Sequence, residues 1–114
     1  MNVRTHTVEG TPVVELSGEL DISTAQEVEQ ELLRFEENGP PIVVLDLSGL
    51  TFIDSTGLRT VLAADSRSRQ RGGRLLLVPG PPSVHRVFRI SLLDQRLEFT
   101  EHLGGLPGVD GGEA

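Results

Sequence analysis

A chain of 114 residues has room for one domain around a single modest core and is too short for two. With no Cys and an aromatic share of only 4%, a disulfide framework is excluded and the core has to be built from Val, Leu and Ile. A formal net charge of −7, with 17 acids against 10 bases, opposes nucleic-acid binding, which needs clustered cations on the phosphates.

An acidic chain suits a protein partner that carries a basic patch. No apolar run follows Met1 that would serve as a signal peptide, so the cytoplasm is the expected compartment. No stretch approaches the ~20 apolar residues of a spanning helix, and no membrane association is expected.

Val3 to Val8 alternate as a half-buried edge strand does, Glu9-Gly10-Thr11-Pro12 reads as a turn, and Val13 to Leu16 form a second strand. These make a hairpin at the amino end. After Gly18, Glu19-Leu20-Asp21-Ile22 reads as a loop holding two acids. Ser23 or Thr24 then caps a first helix, with Gln26 or Glu27 three residues on. That helix is expected from about Thr24 to Glu37, with Ala25, Val28, Leu32 and Phe35 as its apolar stripe. Asn38-Gly39-Pro40-Pro41 stops it.

Ile42 to Leu47 is a nearly unbroken apolar run, the composition of a strand covered on both faces. A second helix begins at the Asp54-Ser55 turn, places Leu58, Val61 and Leu62 on one face, and ends near Arg71 before Gly72-Gly73. Arg67, Arg69, Arg71 and Arg74 are the one local concentration of positive charge, read as a solvated helix end. Arg74 to Val78 is another buried strand. Pro79-Gly80-Pro81-Pro82 is a rigid loop, Ser83 is placed to cap a third helix, and Val84, Val87 and Phe88 share its face. Leu97-Glu98-Phe99 suggests a short final strand or helical turn. Alternation of strands and helices implies an α/β domain, a mixed sheet whose parallel strands carry packed helices. From Gly104 onward the chain is too glycine-rich to order itself, so a domain of residues 1–103 and a loose tail of 104–114 are expected.

The chemistry concentrates where Thr51-Phe52-Ile53 runs into Asp54-Ser55-Thr56-Gly57-Leu58. Asp54 or Ser55 can cap the helix, and either choice leaves the Ser55 hydroxyl near the positive end of the helix dipole. Gly57, lacking a side chain, is expected to leave room for another molecule's backbone or a phosphate. Ordinary helix capping would produce the same four residues, so the turn alone does not decide its role.

Two separated segments do more together. Phe52-Ile53-Asp54-Ser55-Thr56-Gly57-Leu58 and the upstream Gly18-Glu19-Leu20-Asp21-Ile22-Ser23-Thr24-Ala25 resemble the STAS domain of bacterial anti-sigma factor antagonists, in the right order and spacing over roughly residues 3–103. The resemblance implies that Ser55, directly after the motif aspartate, is phosphorylated by the partner, an anti-sigma factor that is itself an ATP-dependent serine kinase. Unphosphorylated, such a protein binds the anti-sigma factor and releases the sigma factor; a metal-dependent serine/threonine phosphatase resets it. The implied contact surface is Leu20, Asp21, Thr24, Asp54, Ser55, Thr56 and Gly57. A scaffold subunit of a stress-signalling, stressosome-like assembly is the alternative within the same resemblance.

An enzyme is not expected. Ser55 does not lie in Gly-x-Ser-x-Gly, no phosphate-cradling glycine loop is present, and His6, His85 and His102 are each isolated, so neither a seryl nucleophile with its base nor a metal or cofactor site can be assembled. A small hydrolase or nucleotide-binding module is the competing class, and turnover of ATP or GTP by the isolated chain would distinguish it.

Overall fold

The computed structural model describes residues 1–100; the expected boundary after residue 103 and the tail of 104–114 lie outside them. In chain order the elements are β1 (Asn2–Val8), β2 (Thr11–Leu20), α1 (Ala25–Glu36), β3 (Ile42–Ile53), α2 (Ser55–Gln70), β4 (Arg74–Val78), α3 (Pro82–Ile90), a 3-10 turn (Leu93–Gln95) and β5 (Glu98–Phe99). The five strands form one sheet in the order β1-β2-β3-β4-β5. Only β1 and β2 are antiparallel, as a hairpin; every later neighbour is parallel. This is the expected mixed α/β architecture.

Strand pleating sorts the apolar residues by face. Val14, Leu16, Val43, Leu45, Leu75 and Leu77 meet Val28 and Leu32 of α1, Val61 and Ala64 of α2, and Val84 and Phe88 of α3 in one core. The alternate residues Val13, Val44, Leu76 and Val78 form a separate, smaller cluster. All three helices therefore serve a single face, which leaves the carboxyl ends of the parallel strands to carry the loops.

Four expectations about local structure need correction. β2 does not end at Leu16: it continues through Gly18 to Leu20, with register irregularities on either side of Gly18. Gly18 has φ +105, a backbone conformation that accommodates such a bulge at little cost only without a side chain. Glu19 and Leu20 are consequently strand residues. β3 likewise runs to Ile53 rather than Leu47, because Phe52 and Ile53 pair with Glu19 and Leu20.

The third correction concerns α3, whose N-cap is Pro81 with Pro82 at the first helical position, so Ser83 lies inside the helix. Proline suits that position, since its missing N–H is one the helix leaves unpaired anyway. Fourth, the arginine cluster is not a solvated helix end. Arg67 is hydrogen-bonded to Glu36 through Nε and Nη2, at 2.7 and 3.0 Å, and to Glu29 through Nη1 at 2.8 Å, which clamps α2 to α1. Arg69 holds Asp65, Arg71 reaches Glu36, and Arg74 holds Glu98 across β4 and β5.

Candidate functional site

The two motif segments meet because β2 and β3 run parallel to a common end. Leu20 pairs with Ile53, and the Asp54 N–H donates to the Leu20 carbonyl at 3.2 Å. Beyond that rung each chain turns into its helix.

Asp54 is the N-cap of α2, in extended backbone at φ −112 and ψ −173. One carboxylate oxygen, Oδ1, accepts from the Gly57 N–H at 2.9 Å; the other, Oδ2, accepts from the Ile22 N–H at 3.3 Å. A single side chain thus satisfies an orphan donor of the helix and ties the neighbouring loop to it. Of the two capping candidates the sequence leaves open, Asp54 is the cap. Ser55 is free for other work: it occupies the first helical position, is exposed, and its hydroxyl makes no hydrogen bond among the described residues.

Across the strand ends, Asp21 Oδ1 accepts from the N–H and hydroxyl of Ser23, at 3.0 and 2.7 Å. The Ser23 hydroxyl is the main cause holding the Asp21 carboxyl below its usual range, aided by the Ser23 N–H and by Thr24. Thr24 stands at the N-cap of α1, yet its hydroxyl turns back, donating to the Glu19 carbonyl at 2.7 Å and accepting from the Asp21 N–H at 3.0 Å. The expected capping box is absent from this helix start. Instead the Asp21 carbonyl accepts from the N–H groups of Thr24 and Ala25.

The remaining motif residues divide by depth. Thr56 is half-buried and its Oγ1 accepts from Arg59 at 3.2 Å, on the groove between α1 and α2 that Gln26 and Glu29 also line. Leu20 and Gly57 are buried and support the turn from beneath. A Cβ on Gly57 would lie 2.6 Å from the Leu20 carbonyl oxygen and 2.8 Å from Ile53 Cγ1. The space that glycine leaves is therefore filled by the chain's own β2 and β3 ends, not held open for another molecule. Sequence reasoning missed Ile22, which stands 78% exposed immediately beside Asp21, and Phe52, 49% exposed. An isoleucine set between Asp21 and Ser23, in a segment with no helical or strand period, was the available signal.

Asp54→Ala should lower the unfolding free energy by about 1–2 kcal/mol, the usual worth of a lost N-cap, read as a lower urea midpoint at unchanged slope. Asp54→Asn, which keeps an acceptor, should recover most of that; equal losses in both would contradict the capping role. Asp21 predicts a pH dependence. Its folded pKa lies below the ordinary 3.8, so its contribution is present above that value and is lost as pH falls through the folded pKa. The urea midpoints of wild type and Asp21→Asn should accordingly differ at neutral pH and converge in acid below 3.8.

Described histidines stand elsewhere: His6 on β1 faces Glu15 at 3.6 Å, and His85 on α3 packs against Phe88 and Phe99. Among the described residues no helix is long and apolar enough to cross a membrane.

Residues 2–105 match the STAS domain family. The chain belongs to the STAS domain family. This STAS domain is similar to the anti-sigma factor antagonist candidate BtrV of Bordetella bronchiseptica, at 38% identity over 84 residues, 74% of this chain and 72% of BtrV. It is 34% identical over 83 residues to the anti-sigma F factor antagonist of Paenibacillus polymyxa, covering 72% of this chain and 71% of that one. Among solved structures, an anti-sigma factor antagonist from Mycobacterium paratuberculosis superposes with a TM-score of 0.81 at 28% identity, over 90% of this chain and 86% of that chain.

Proposed function

We propose that this STAS domain is an anti-sigma factor antagonist whose binding is switched by phosphorylation of Ser55. Unmodified, it docks on an anti-sigma factor that is a serine kinase, and the sigma factor is released. Phosphorylation at Ser55 ends the interaction, and a metal-dependent serine/threonine phosphatase restores it. The observation that carries this reading is the exposed Ser55 hydroxyl at the first position of α2, without a hydrogen bond among the described residues, with its neighbour Asp54 already committed to the cap. A kinase can reach that hydroxyl without unfolding the turn.

The surroundings fit a docking surface. Ile22 offers an apolar contact beside it, Asp21 is held ionised by Ser23, and Thr56 and Arg59 continue the surface along α2. Leu20, Thr24 and Gly57 act indirectly, by fixing the height and angle of the two loops. The names of the relatives support an anti-sigma factor as the partner class.

The test is to incubate the chain with a kinase-type anti-sigma factor and ATP and to map the phosphate by mass spectrometry. One phosphoryl group on the peptide carrying Ser55, absent from Ser55→Ala, is the expected result. Modification at Thr56 or on another segment would defeat the assignment.

A further inference from the structure

The carboxyl ends of β4 and β5 hold a second concave feature, separate from the Ser55 turn. A cleft of about 600 Å³ lies between the Pro79-Gly80 loop, the first turns of α3 and the end of β5, with Pro79, Pro82, His85, Arg89 and Phe99 in its wall. Its volume is that of a small-molecule site, and the carboxyl edge of parallel strands is where open α/β sheets hold ligands. Two prolines and a packed aromatic group make the wall rigid. Phe99 meets the His85 ring edge-on at 4.8 Å and Phe88 at 5.3 Å, and Phe88 is fully buried.

Charge sets the ligand's polarity. Arg34, Arg67, Arg69, Arg71 and Arg74 each hold a carboxylate; Arg89, like Arg4, Arg59, Arg86 and Arg96, has no ion pair among the described residues, and of these five it is the one in the cleft wall. It lies one helical turn beyond His85 on the same stripe of α3 and borders the apolar cleft. His85 brings its ring to the same wall, and its Nδ1 is buried there with no hydrogen-bond partner among the described residues, a state native structures rarely tolerate without a reason.

We infer that this cleft binds a small organic anion with a planar apolar body, its carboxylate on the Arg89 guanidinium and its ring against Phe99 and His85. Arginine presents a planar fork matched to a carboxylate, and aromatic edges favour a flat apolar partner. The site shares no residue with the Ser55 turn, so its test is independent of the switch.

The probe is 2-naphthoate, titrated into the full chain and followed by calorimetry and by amide NMR shifts. The expected result is saturable binding with shifts centred on Gly80, His85 and Phe99. Arg89→Gln should weaken the affinity about tenfold or more, the usual worth of a charge-assisted bond. The neutral isostere 2-naphthamide should lose as much against wild type. Arg86→Gln, an exposed cation on the same helix outside the cleft, should change nothing. The inference is overturned if naphthoate fails to bind, if the shifts map elsewhere, or if Arg89→Gln or the amide binds as well as the reference pair.

Discussion

Ser55→Ala is expected to bind the anti-sigma factor with the affinity of the unmodified protein and to stay bound in the presence of ATP, while Ser55→Glu binds about tenfold or more weakly. The alanine removes a hydroxyl that makes no hydrogen bond among the described residues, so neither the α2 cap nor the loop tether changes. The glutamate puts one charge at the position where phosphate would bring about −1.5 to −2. That charge stands next to Asp54, on a surface that also presents Asp21 and must lose water when the partner docks. Within the free domain the penalty is offset, because the first turn of a helix favours a negative charge by roughly 0.3–1 kcal/mol. Binding should therefore suffer and folding should not. Pull-down with quantification gives the first result, and circular dichroism of Ser55→Glu, unchanged from wild type, gives the second.

Arg67→Ala should cost about 2–3 kcal/mol of unfolding free energy. Its guanidinium fills the seam between α1 and α2, and the Glu36 side chain beneath it is only 9% exposed. Removing the cation leaves that carboxylate, among the described residues, only the 3.4 Å contact with Arg71; a carboxylate left wholly unpaired in a largely buried site costs up to about 3–5 kcal/mol, and the remaining Arg71 contact together with the partial exposure of Arg67, at 25%, reduces the figure. Arg67→Ala with Glu36→Gln should recover a substantial part of the loss, measured as a double-mutant cycle in urea. Additive losses would mean that Arg67 acts through its aliphatic stem rather than its charge.

What the sequence made legible follows from the range of the interactions. The core strands 42–47 and 75–78 stand out because an apolar run buried on both faces is a local property, and the ends of α1 and α2 stand out because glycine and proline punctuate them locally. The far halves of β2 and β3 do not. Ser17, Gly18 and Glu19 pair with Gly49, Leu50 and Phe52 across about 30 residues of chain, and no local pattern carries that pairing. The same distance hid the Arg67 clamp, whose partners lie 31 and 38 residues away.

The candidate site was legible to a similar extent and for a similar reason. Capping points to Thr24, Asp54 and Ser55 at helix starts, the family resemblance adds Asp21 and Thr56, and the parallel pairing of Leu20 with Ile53 brings the two starts together. Which side chain caps α2 stays open in the sequence because Asp and Ser serve equally well at that position; the bond from the Gly57 N–H to Asp54 Oδ1 decides it, and the Ile22 N–H that holds the other oxygen comes from another loop. Gly57 was misread because a glycine's empty side may face outward or inward, and only the fold places Leu20 and Ile53 against it.

The most direct measurement of the central claim is a calorimetric titration of the kinase-type anti-sigma factor with two preparations of the chain, one unmodified and one phosphorylated at Ser55, at the same ionic strength. The phosphorylated form should bind at least about 100-fold more weakly, ~2.7 kcal/mol, with the two forms showing the same thermal unfolding midpoint within a few degrees. Equal affinities, or a loss of affinity accompanied by a collapse of the unfolding midpoint, would contradict a switch that works by charge at a docking surface.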